Sequence, residues 1–196
     1  MEGFGSELSF LTLIGLMPHI DLPDGVPGIR GPLNKYPVTA KPLLELAQTL
    51  LRGDSTLSAG QRELIATFVS NRNECAFCAG SHGAAAKHLL DSDFDLIEQV
   101  WAGPDNAPVS DKLKALLRIA GQVQKSGRDV TDAAVAEARD EGATDKEIHD
   151  TVLIASAFCM YNRYVDGLDT IAASDLSDYD EMGAMMAEEG YTRVRS

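Results

Sequence analysis

Between residues 75 and 86 the chain reads Cys75-Ala76-Phe77-Cys78-Ala79-Gly80-Ser81-His82-Gly83-Ala84-Ala85-Ala86, and no other stretch limits the possible folds so strongly. The pattern predicts a helix over residues 74–90. Each of the two glycines inside it costs roughly 1 kcal/mol relative to alanine. That cost makes sense where another backbone approaches closely, so this helix is expected to be central and tightly packed. Alanine is abundant, aromatic residues are only 6% of the chain, and no segment carries a convincing strand pattern. A β-sandwich would want more Val, Thr and aromatic side chains. The expected class is therefore all-α, a helical bundle, and 196 residues suit one domain with a real core.

The chain divides into three parts. Residues 1–38 form a Pro- and Gly-rich N-terminal arm, with Pro18, Pro23, Pro27, Pro32 and Pro37; a helix fits only over residues 6–16. Residues 39–173 form the helical domain. Leu43, Leu46, Ala47 and Leu50 share one helix face, and Gly53 stops that helix. Ser58 with Gln61 resembles a capping box that opens the next helix, whose buried stripe is Leu64, Ile65, Phe68 and Val69. Asn71-Arg72-Asn73 interrupts it before the glycine-alanine helix begins. Further starts are read at Ser92 with Asp95, at Ser110, at Thr131, and at Thr144 with Glu147. The last of these opens the longest segment, residues 145–173, in which Gly167 is expected to kink or end the helix. The apolar spacing of residues 43–50 recurs at residues 116–123, which suggests a duplicated helical unit. Residues 174–196 form an acidic, Met-containing tail.

The charge is informative in what it excludes. A formal net charge of −13 and a pI near 4.6 repel a phosphate backbone, so no nucleic-acid partner is expected. No membrane association is expected either, because no stretch is long and apolar enough to span a bilayer. The apolar run at residues 10–17 is short, and Glu2 and Glu7 precede it where a signal peptide carries Lys or Arg. The expected location is the cytoplasm. Three cysteines make no disulfide framework, and in a reducing compartment a Cys-x-x-Cys pair is more often catalytic or metal-binding than structural.

Cys75 and Cys78 lie on one helix face, and His82 sits one turn beyond Cys78. If the helix starts near Glu74, both thiols are close to its N-terminus, where free N–H groups and the dipole favour a thiolate. His82 can take the thiol proton or, as imidazolium, hold the thiolate. Glu63, on the preceding helix, could fold back and orient the histidine. A thiolate attacks a peroxide O–O bond and becomes a sulfenic acid, and a second thiol converts that to a disulfide. Two other readings stay open from these residues. Cys75, Cys78 and His82 with Cys159 or His88 could hold zinc, or the thiols could be core. Glu63 could equally be a helix-surface residue or a partner of Arg62 or Arg72.

The text Arg62-Glu63-Leu64-Ile65-Ala66, then Val69-Ser70-Asn71-Arg72-Asn73, then Cys75-Ala76-Phe77-Cys78 and His82 resembles the alkylhydroperoxidase D (AhpD) and carboxymuconolactone decarboxylase superfamily. It looks most like its peroxidase-related branch, and the resemblance covers about residues 40–170. It implies an AhpD-like all-α fold that forms homo-oligomers. It also implies reduction of hydrogen peroxide or organic hydroperoxides, with a dithiol or protein reductant as the second partner. By it, Cys78 is peroxidatic, Cys75 resolving, His82 the proton relay and Glu63 its partner, and neither cofactor nor metal is required. Phe77 departs from the prototype, which has a histidine just before the second cysteine. The alternatives are a carboxymuconolactone decarboxylase-like lyase using His82 and Glu63 as acid and base, and a non-enzymatic redox-sensing or zinc-binding protein.

Overall fold

The structure, a computed structural model, describes residues 18–192; the helix expected over residues 6–16 lies outside them. Among the described residues there are nine α-helices and no strand. They are α1 (Arg30–Lys35), α2 (Pro37–Arg52), α3 (Ala59–Arg72), α4 (Ala76–Leu90), α5 (Phe94–Ala102), α6 (Asp111–Lys125), α7 (Asp132–Asp140), α8 (Asp145–Asp166) and α9 (Asp180–Glu189). None of them is long and apolar enough to cross a membrane.

Capping chemistry sets most of the boundaries. Ser58 and Thr144 complete capping boxes with Gln61 and Glu147, and Ser110 and Thr131 accept from the backbone N–H three residues on. Each such cap contributes about 1 kcal/mol. Two boundaries differ from the sequence pattern. Helix begins early, at Arg30, because Pro32 and Pro37 fall in first turns where a missing N–H goes unused. The cap of α5 is Asp93, which accepts from Leu96 N at 3.2 Å, rather than Ser92. The long helix α8 ends at Asp166 with Gly167 as its C-cap. Beyond it, the Leu168 and Ile171 carbonyls accept from His19 N and Gly28 N at 2.9 and 2.8 Å, so the N-terminal arm lies along this segment.

α3 and α4 are the centre of the bundle. Phe68, Leu64, Ile65, Leu116, Ile119, Ile154 and Phe158 are fully buried around them, each contributing about 1.5–3 kcal/mol. Thr67 ties the two helices to α5: its hydroxyl donates to Ala79 O at 2.7 Å and accepts from Trp101 Nε1 at 2.9 Å. The small-residue run of α4 is where α9 lands. A Cβ at Gly183 of α9 would stand 2.4 Å from Ala84 Cβ and 2.5 Å from its carbonyl carbon. Lys87 and His88 at the end of α4 both bond Asp180 Oδ1, at 2.6 and 2.9 Å, and so fasten the start of α9.

The polar residues late in α8 turn inward. Asn162 is buried, donates to Ser70 Oγ at 3.0 Å and accepts from Asn73 Nδ2 at 2.8 Å; Gln124 Nε2 in turn donates to Asn73 Oδ1 at 2.8 Å. This chain of amides fixes the corner between α3 and α4. Helix periodicity alone puts an amide such as Asn162 on the surface.

Candidate active site

Glu63 sits in the middle of α3 and is completely buried. An isolated carboxylate there would be strongly disfavoured. Three side chains compensate it. Arg52 Nη1, from the last turn of α2, is 2.7 Å from Oε1. The Tyr191 hydroxyl donates to the same oxygen at 2.5 Å. His82 Nδ1 of α4 is 2.7 Å from Oε2. Burial alone would push the Glu63 carboxyl up, but His82, Arg52 and Tyr191 more than offset it, and the group is held below its ordinary value. Arg62 and Arg72 do not pair with it as a surface reading would have it. Arg62 Nη1 donates to Leu50 O and Gly53 O at 3.0 and 2.8 Å, closing the end of α2, and the Arg72 guanidinium lies over the Phe68 ring at 4.6 Å.

With Glu63 ionised, Nδ1 of His82 carries a proton and donates it, which leaves Nε2 as the ring nitrogen able to accept one. The imidazole is held on both sides. Its ring meets Phe158 edge-on at 4.6 Å and stacks on Tyr191 at 5.9 Å.

Cys75 and Cys78 straddle the start of α4. Glu74 takes φ +60°, a left-handed turn for a non-glycine residue, and Cys75 then caps the helix, its own N–H donating to Ser70 O at 3.0 Å. Cys78 is the third helical residue. Both thiols are free and buried. Cys75 hydrogen-bonds Cys78; that contact, burial and the carboxyl of Asp166 at the end of α8 all push the Cys75 thiol up. The helix dipole alone would lower the Cys75 thiol, nearest the helix start; its bond to Cys78 and its burial outweigh that and push it up. Burial pushes the Asp166 carboxyl up as well, and its bond to Cys75 partly offsets that.

The thiol pair lies between two cavities. One, of about 60 Å³, is apolar and lined by Cys78, His82, Phe77, Phe158, Tyr161 and Tyr191 among others. The other, of about 360 Å³, is more open and lined by Cys75, Asn71, Glu74, Gly80, Trp101 and Tyr179 among others. Phe77 is a wall of the small cavity. It packs edge-on to Tyr179 at 5.9 Å, and Gly28, at φ +56°, passes so close that a Cβ there would meet its ring at 2.1 Å. Phe77 therefore packs directly against the N-terminal arm.

The structure thus brings Glu63, His82, Cys75 and Cys78 together. It leaves His88 on the α9 contact and half-buries Cys159 beside Asn73 Nδ2, at 3.6 Å. Among the described residues no group of three or more His, Cys, Asp or Glu side chains is placed to hold a metal ion. Arg52, Tyr191 and Asp166 are not singled out by the sequence pattern. Arg52 is a basic residue in a last helical turn, and Tyr191 lies in the expected tail. An aromatic residue in an otherwise acidic terminus was the one available signal for it.

The arrangement is that of an all-α fold in which a buried carboxylate bonds an imidazole near two thiols at a helix N-terminus. Residues 37–101, from α2 to near the end of α5, match the model of the carboxymuconolactone decarboxylase family, about a third of the chain. A search of the curated proteins finds no match. Among solved structures the fold is similar to that of an uncharacterized peroxidase-related protein with an alkylhydroperoxidase AhpD core from Ralstonia eutropha JMP134. The TM-score is 0.71 and the identity 22%, over 90% of this chain and 86% of that one. It is similar as well to an uncharacterized peroxidase-related protein of Silicibacter sp. TM1040, with TM-score 0.70 and 24% identity over 83% and 94% of the two chains. A protein of unknown function from Agrobacterium tumefaciens, proposed to be the antioxidant defence protein AhpD, gives TM-score 0.67 and 20% identity over 81% and 100%. At these identities the likeness is one of fold.

Proposed function

We propose that the protein is a thiol-dependent peroxidase that reduces hydrogen peroxide or small organic hydroperoxides. The observation that carries this reading is His82, held by the buried Glu63 at 2.7 Å and lining one cavity with Cys78. Glu63 holds the Nδ1 proton, so His82 Nε2 takes the proton of the Cys78 thiol as a peroxide enters. The thiolate attacks one peroxide oxygen and the O–O bond breaks. The departing alkoxide or hydroxide takes the proton from His82 and leaves as alcohol or water, and Cys78 becomes a sulfenic acid. Cys75, kept as a thiol by its surroundings, then attacks that sulfur. Its proton goes, by way of Asp166, to the departing hydroxide, so water leaves and a Cys75–Cys78 disulfide remains. A dithiol reductant reopens the disulfide by exchange and is itself oxidised to a disulfide. The open cavity beside Cys75 supports entry of that reductant from the face opposite the peroxide. Cys78 is the leaving group in this exchange, because His82 lines its cavity and can protonate it.

Peroxide consumption with excess dithiothreitol tests the reading. Cys78→Ser is expected to abolish turnover, and mass spectrometry of the peroxide-treated protein is expected to show a Cys75–Cys78 disulfide. Full turnover in Cys78→Ser would overturn it.

The expected homo-oligomer has a candidate seam on α2 and α8. Val38 is 87% exposed and Met160 43% exposed, and with Pro42, Leu43, Tyr161 and Tyr164 they line an apolar groove of about 490 Å³. A second copy of the chain is the occupant this reading assigns to it.

A further inference from the structure

Tyr191 enters the site from a segment with no other part in the proposed chemistry, and the chain is built to deliver it there. α9 crosses α4 at the Gly183–Ala84 contact. Arg52 Nη2 donates to Met186 O at 3.0 Å in the last turn of α9, so the same guanidinium that neutralises Glu63 holds the end of the strap. Gly190 then turns the chain at φ +69°, and a Cβ there would stand 2.5 Å from Gln48 Oε1. Gln48 Oε1 accepts from Tyr191 N at 2.8 Å. Two side chains of α2, Gln48 and Arg52, thus fix the backbone on either side of the turn.

The phenol that this turn presents makes four contacts. Its hydroxyl is 2.5 Å from Glu63 Oε1 and 3.2 Å from His82 Nδ1. Its ring stacks on His82, and the Arg52 guanidinium lies 5.1 Å from its centroid. Burial and the Glu63 charge push the phenol well above its ordinary value, so it stays a hydrogen-bond donor. The ring also walls the small cavity over Cys78, whose volume is about 60 Å³. A single water needs about 10–15 Å³ on this measure. The cavity therefore suits a molecule of a few heavy atoms and not an aryl hydroperoxide.

We infer that Tyr191 is a positioning and size-selecting residue of the site: its hydroxyl clamps Glu63 against His82, and its ring closes the Cys78 cavity to all but small hydroperoxides. The inference rests on the peroxidase reading for its substrate class and on geometry for the clamp. The two roles separate by substitution. Tyr191→Phe keeps the wall and removes the donor. The groups facing Glu63 are Arg52 from α2, His82 from α4, Tyr191 from the tail, and Arg62 beside it on α3. Loss of one donor to the carboxylate weakens its ionised form, so activity falls at a higher pH on the acid side. Tyr191→Ala opens the wall. Gly190→Ala leaves Tyr191 intact but strains the turn and collides with Gln48, so it displaces the phenol and reproduces both effects in part.

The experiment compares these variants in two assays. The first is kcat/KM for hydrogen peroxide and for cumene hydroperoxide across pH. The second needs no turnover: in a Cys75→Ser background, Cys78 is alkylated with iodoacetamide and with N-phenylmaleimide across pH, and the products are read by mass spectrometry. Tyr191→Ala is expected to raise the bulky-to-small ratio in both assays by about tenfold or more. Tyr191→Phe is expected to keep both ratios and to move the acid limb to higher pH. Folded variants with unchanged ratios and an unchanged acid limb would overturn the inference. If the unaltered protein consumes no peroxide, the peroxidase reading fails, and the alkylation ratios and their pH dependence still decide the role of Tyr191.

Discussion

Two glutamates are buried among the described residues, and they are buried for different reasons. Glu63 is 0% exposed and Glu147 1% exposed. Glu147 is the third residue of α8. Its Oε2 accepts from Thr144 N at 2.8 Å within the capping box, and its Oε1 accepts from Lys112 Nζ at 2.8 Å. Most of its environment lies three residues away in sequence. Glu63 has no such local partner: Arg52, His82 and Tyr191 come from three other segments, the last of them 128 residues away. In both, burial pushes the carboxyl up and the partners more than reverse it. The contrast lies in what the carboxylate is for. One closes a helix end, and the other holds the imidazole of His82 on a neighbouring helix.

The contrast is sharpest in activity. Glu63→Gln is expected to lower peroxide turnover by about 10²–10⁴-fold, the usual worth of a positioned proton relay, while Glu147→Gln leaves turnover unchanged. Equal losses in steady-state assays would erase the distinction. Stability separates the partners next. Arg52→Met leaves Glu63 buried with one cation fewer and is expected to destabilise the fold by about 3–5 kcal/mol in urea unfolding. Lys112→Met removes a partner that is about one-third exposed and is expected to cost no more than about 1 kcal/mol. Thr144→Ala removes the cap and is expected to cost about 1 kcal/mol with no change in turnover.

Acid unfolding extends the comparison to pH. Both carboxyls have folded values below their unfolded ones, so each contributes stability that is fully present above the ordinary carboxylate range. That stability is lost as pH falls through the lowered folded value. Glu63→Gln is therefore expected to flatten the fall in melting temperature below the carboxylate range, and Glu147→Gln to flatten it too. A melting temperature in Glu63→Gln that still falls as steeply would show that Glu63 is not ionised in the folded protein. The smallest effect concerns the surface. If the proposed seam forms, Val38→Asp with Met160→Glu is expected to lower the mass seen by light scattering toward that of one chain, with the Glu63 and Glu147 behaviours intact.

Much of the bundle was legible because it rests on local rules. The caps at Ser58, Ser110, Thr131 and Thr144 are fixed by side chains bonding backbone three residues on. The stripe Leu64, Ile65, Phe68 and Val69 follows from 3.6-residue periodicity. The glycine-alanine run of α4 announced a close neighbour, though nothing in it named α9 as that neighbour. Asn162 was misplaced because an amide on a helix reads as surface unless its partners, Ser70 and Asn73, are known to be near. The same limit hid Asp166 beside Cys75.

The sequence by itself determined an all-α chain with two thiols and a histidine on one helix face, since spacing along a helix is a local property. Only the tertiary structure decided that Glu63 is ionised inside the core, that burial and its neighbours push the Cys75 thiol up, and that Tyr191 reaches Glu63. Each of these depends on charge, burial and donors brought together from distant segments, and no periodicity within a single helix records them.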